Sequence, residues 1–123
     1  MRVLKSRWFA RWARREGLTD TTLRFAVEEM RRGLVDAVLG GGLVEKRVAR
    51  PGGGKSGGYR TLLAADFRDR WIFLYGFAKS ERENIDDDDL RDLRRLARAY
   101  LSMSEAATRR LIDTGVLMEA SDG

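Results

Sequence analysis

YRTLLAADFRDRWIFLYGFA, residues 59–78, contains two apolar runs parted by Phe67, Arg68 and Asp69. Runs of this length with a polar break between them read as a β-hairpin. The second run is apolar on both parities. Trp71, Phe73, Tyr75 and Phe77 share one face, and Ile72, Leu74 and Ala78 the other, so the strand is expected at the centre of a sheet covered on both sides.

Upstream, SRWFARWARREG (6–17) places Trp8, Phe9, Trp12 and Ala13 on one helical face, with Gly17 suited to a C-terminal stop. A second helix begins at Thr19 or Asp20 and carries Leu23, Val27 and Met30 on one stripe. Arg31, Arg32 and Gly33 favour an end there, since cations suit the dipole and glycine the left-handed cap. Leu34, Val38 and Gly40 to Gly42 also fit a longer helix. Residues 43–48 alternate with period two, a partly exposed strand, and 49–58 add Pro51 and five glycines, a loop. Downstream of the hairpin, the run Asp86 to Asp89 suits a helix start in solvent rather than a metal site, ahead of the stripe Leu90, Leu93, Ala97 and Tyr100. Ser104 and Glu105 open a last short helix closed by Gly115, and VLMEA reads as an edge strand or an adhesive tail.

At 123 residues the chain is expected to form one domain, 1–123. It contains no cysteine and no histidine, which excludes disulfides, Cys/His zinc sites and imidazole or thiolate catalysis. No apolar run approaches the ~20 residues of a membrane span, and the N-terminus lacks the apolar core of a secretion signal. A cytoplasmic protein without a membrane partner is expected. Residues 1–60 carry 14 Lys/Arg against 6 Asp/Glu, a net +8, while residues 61–123 carry 10 against 13, a net −3. Of the 24 cations 20 are arginine, whose planar fork suits phosphate, so the bias points to nucleic acid.

The loop GGGKSGG invites comparison with a P-loop, but Ala49 stands where its first glycine belongs, and a strand follows where a helix is required. What remains is Lys55 at a glycine-rich tip flanked by Arg47, Arg50 and Arg60, able to wrap a phosphodiester. Arg60 lies in an apolar strand and must reach solvent or an acidic partner. Lys79, Glu81 and Arg82 follow the central strand, at a sheet end where rigid neighbours hold functional groups; local capping and ion pairing are the plain alternative.

GKSGGYR, the apolar hairpin and YGFAKSERENID together resemble toxins of the RelE/ParE superfamily, in particular the RelE-like branch; WFARWARREG, the LGGG turn and LRRLARAYL extend the likeness over most of the chain. The resemblance implies an α+β fold: a small antiparallel sheet with two N-terminal helices packed on it and C-terminal helices. It further implies a type II toxin that cuts messenger RNA at the ribosomal A site without metal or other cofactor, partnered by the ribosome, by messenger RNA and by an adjacently encoded antitoxin of helix-turn-helix type.

By the motif match, Arg60 takes the place of the strand arginine at the scissile phosphate and Lys55 that of a basic loop residue. Lys55 or Glu81 would move protons, and Arg60 and Arg82 would hold phosphate, with Lys46, Arg47, Arg50, Lys55 and Lys79 along the nucleic acid. The chain departs from the pattern at Ser80, where an arginine is expected, and at Asp86, where a tyrosine is expected. Pro51 and glycines replace the lysines before the loop, leaving Lys46 and Arg50 to substitute spatially. A ParE-like gyrase inhibitor and a non-catalytic RNA-binding module are the competing readings.

Overall fold

A computed structural model describes residues 1–50, 52, 57–81 and 84–121. In chain order the elements are β1 (Arg2–Ser6), α1 (Arg7–Glu16), α2 (Asp20–Arg31), β2 (Ala37–Gly40), β3 (Leu43–Val48), β4 (Tyr59–Ala65), β5 (Arg70–Ala78), α3 (Asp87–Ser102), α4 (Glu105–Asp113) and β6 (Leu117–Glu119). The strands form one six-stranded sheet in the order β2-β3-β4-β5-β1-β6, antiparallel throughout except that β1 runs parallel to β5. This is the α+β architecture expected, with two strands more than the sequence reading found.

Local chemistry sets the boundaries. Ser6, Thr19, Asp86 and Ser104 each cap a helix by accepting a backbone N–H three residues on. Gly17 ends α1 at φ 76°, a left-handed conformation that L side chains resist. The aspartate run opens α3 as expected, Asp86 as its cap and Asp87 to Asp89 in its first turn. The β4–β5 turn is built on Asp66, whose Oδ1 accepts the backbone N–H groups of Arg68, Asp69 and Arg70 at 2.9–3.0 Å.

Two cores flank the sheet. Helices α1 and α2 lay Phe9, Trp12, Leu23 and Met30 over Val44, Leu63, Trp71 and Phe73. On the other face, Leu90, Leu93, Ala97 and Tyr100 of α3 pack over Leu43, Leu62, Ile72 and Leu74. Both faces of β5 are thus covered, and one of them holds the N-terminal helices, as expected.

The faces of β5 differ from the simple alternation. Leu62 pairs with Tyr75, but Leu63 pairs with Phe73, so β5 carries an extra residue at Leu74. Such a bulge reverses the parity of everything beyond it. Trp71 and Phe73 face α1 and α2, whereas Tyr75, paired with Leu62, packs on the α3 side. Phe77, two residues on, shares the face of Tyr75. Gly76 turns toward α1, where the Trp12 ring lies so close that a Cβ would overlap it. Ser6 ties the bulge to α1: its Oγ accepts the Phe9 N–H at 3.1 Å and donates to the Leu74 carbonyl at 3.2 Å.

Candidate functional site

The pairing of β3, β4 and β5 brings several of the expected residues to one end of the sheet. Arg47 lies opposite Arg60, and Arg60 opposite Phe77; Tyr59 pairs with Ala78, and the Lys79 N–H donates to the Gly58 carbonyl at 3.2 Å. The residues following β5 therefore leave the sheet beside the start of β4. Ser80 and Glu81 are exposed there, as is Lys79.

Arg60 is held from two sides. Its side chain is 23% exposed, its Nε is 3.4 Å from Glu45 Oε2, and its Nη1 donates to Asn84 Oδ1 at 2.9 Å. The strand arginine thus finds both solvent and an acidic partner. The planar guanidinium presents its N–H donors in a fixed fork, so Arg60 can hold an anion in a defined plane. Arg47 is tied to Asp36, whose carboxylate accepts the Arg47 N–H at 2.7 Å and its Nε–H at 3.3 Å. Arg50 stands 5.6 Å over the Tyr59 ring, toward the α1 side. Tyr59 donates to the Glu16 carboxylate at 3.0 Å; burial and this bond raise its pKa, so the phenol remains a donor near neutrality.

Lys46 is placed differently from the other cations. It is 3% exposed, its Nζ is 3.3 Å from Glu29 and donates to the Leu34 carbonyl at 2.9 Å, on the α2 face of the sheet. Lys55 and Arg82 lie outside the described residues, as does most of the glycine loop. Sequence reasoning did not find Glu45, Asn84 or Asp36, the groups that hold Arg60 and Arg47. Glu45 shares the parity of Arg47 in β3, which was visible, but only the β3–β4 register brings it to Arg60.

A groove of about 530 Å³ lined by Met1, Thr21, Arg24, Phe25 and Glu28 lies on the α2 side, away from the face carrying Arg60. Among the described residues, no helix is long and apolar enough to cross a membrane.

The chain matches a family described as the RelE toxin of the RelE / RelB toxin–antitoxin system over residues 1–120. No curated protein matches.

Proposed function

The chain belongs to the RelE toxin family of toxin–antitoxin systems, and from that membership we propose that it cuts messenger RNA at the ribosomal A site without a metal. The observation that supports this reading is Arg60: a partly buried cation fixed by Glu45 and Asn84 at the sheet end where Lys79 and Glu81 emerge.

The reaction needs three things. The ribose 2′-hydroxyl must lose its proton as its oxygen bonds to the adjacent phosphorus, the charge gathering on the phosphate must be stabilised, and the departing 5′-oxygen must gain a proton as its bond to phosphorus breaks. Arg60 and Arg82 hold the phosphate, and Lys55 or Glu81 carries protons. Arg47, Arg50, Lys55 and Lys79 lie along the RNA backbone. Lys46 contributes through the α2–β3 contact that supports this sheet end.

Primer extension on messenger RNA after induction tests the reading. Discrete, codon-phased cuts are expected, and Arg60→Ala abolishes both the cuts and growth arrest while the protein remains folded. Removing one donor to a developing anion lowers a rate by about 10²–10³. Full toxicity in that variant defeats the assignment. Uncut transcripts with supercoiling defects would identify a gyrase inhibitor, and salt-sensitive ribosome binding with neither effect would identify a non-catalytic module. Toxins of this family act with an antitoxin; we place the gene for this one in the adjacent reading frame and expect a helix-turn-helix protein, which copurification from the native operon tests.

A further inference from the structure

The exposed surface of α1 has an unusual composition. Its outward residues are Arg7, Arg11, Arg14, Arg15 and one aromatic, Trp8, which is 39% exposed. Trp8 stacks on Tyr75 with ring centroids 4.6 Å apart and planes 25° from parallel, and lies 6.2 Å from the nearly parallel Trp12 ring, so the 39% of it that is exposed is what remains beside both rings; Tyr75 in turn lies 6.2 Å from Phe77. Phe77 is the cross-strand partner of Arg60. An aromatic row therefore runs from Arg60 to an indole bordered by arginines. It exists only because the bulge at Leu74 turns Tyr75 and Phe77 to the Arg60 face. The Ser6 hydroxyl, bonded to both the bulge and the first turn of α1, sets Trp8 over Tyr75.

Building on the RNA reading above, we propose that Trp8, backed by Tyr75, is a stacking platform for an unpaired base of single-stranded RNA, whose phosphates pass from Arg60 to the arginines of α1. Charge selects this occupant. A docking peptide would need aliphatic neighbours around the indole, and α1 presents none; arginines beside an aromatic face match phosphates beside a base. The platform is already ordered by its packing, so stacking adds little entropic cost.

The test is equilibrium binding of the purified chain to a short single-stranded oligoribonucleotide, and to the same strand with abasic riboses, at fixed salt. The unaltered chain is expected to prefer the base-bearing strand. Trp8→Ala weakens that complex by roughly 5- to 150-fold, the range for one stacked base, and leaves abasic binding unchanged. Trp8→Phe restores most of the loss, and the salt slope is the same in all three, since no phosphate contact is removed. Equal affinity of Trp8→Ala and the unaltered chain for the base-bearing strand overturns the platform, as does an equal loss on both strands. Absence of any RNA binding overturns the platform, whereas the nuclease reading falls only if primer extension after induction shows no codon-phased cuts.

Discussion

Replacing Ser6 by alanine removes two bonds with one hydroxyl. The first is the α1 cap, in which Oγ accepts the Phe9 N–H at 3.1 Å; loss of such a cap costs about 1 kcal/mol. The second is the 3.2 Å bond to the Leu74 carbonyl at the β5 bulge, worth about 1 kcal/mol in a buried setting. Ser6 is 9% exposed, so water replaces neither bond fully, and the expected loss is about 2 kcal/mol or somewhat more. Against a total of roughly 5–15 kcal/mol this is a large share, equivalent to a fall in Tm of about 8 °C in a domain of this size. Urea unfolding of Ser6→Ala measures the loss through Cm at constant m. Tryptophan emission should also move to longer wavelength in the folded state, because the first turn that seats Trp8 on Tyr75 is loosened. A loss below about 0.5 kcal/mol with unchanged emission would refute the dual role.

Three further outcomes follow from other contacts. Gly76→Ala drives a methyl into the Trp12 ring and should cost about 1–3 kcal/mol as overpacking, measured by the same unfolding assay; a neutral result would mean that the indole is free to move. Asp66 gathers three backbone N–H groups: burial alone would raise its pKa, but these bonds, aided by Arg70, lower it. Its contribution is therefore complete above the unfolded carboxylate value of about 3.9 and is lost as pH falls through the lower folded value, so Asp66→Asn should flatten the acid limb of stability against pH. An acid limb identical to that of the unaltered chain would contradict this. Arg60→Lys keeps the charge but loses the planar fork that reaches both Glu45 and Asn84, and primer extension should show cuts reduced toward the Arg60→Ala level; cutting at the full rate would reduce the role of Arg60 to charge alone.

The hairpin, the helix caps and the inward stripe of α3 were legible because each is a local matter of apolar spacing and short-range hydrogen bonds. β1 was missed because RVLKS is five residues long and leads without a break into the helix that begins after Ser6. β2 was hidden by coincidence: Leu34 and Val38 are spaced as a helix would space them, and only pairing with β3 makes Ala37–Gly40 a strand. The bulge at Leu74 has no compositional mark, since both parities of β5 are apolar, yet it decides which face Tyr75 and Phe77 occupy. At the site, arginine in an apolar strand pointed to Arg60 itself, but its partners come from β3 and from the residues before α3, brought near only by tertiary structure. Lys46 shows the converse. Its charge in an alternating strand suggested solvent, and Glu29 of α2 supplies the partner that lets it sit inside.

The placement of β1 bears on how the toxin comes into being during synthesis. β1 is flanked by β5, 64 or more residues later in the chain, and by β6, whose pairing begins at Leu117. Until both have emerged, a nascent chain presents Val3 and Leu4 on an unpaired edge, and sequence separations this long slow sheet closure. The aromatic row beside Arg60 depends on that closure, so the surface proposed to hold RNA is complete only once β5 has paired with both β4 and β1.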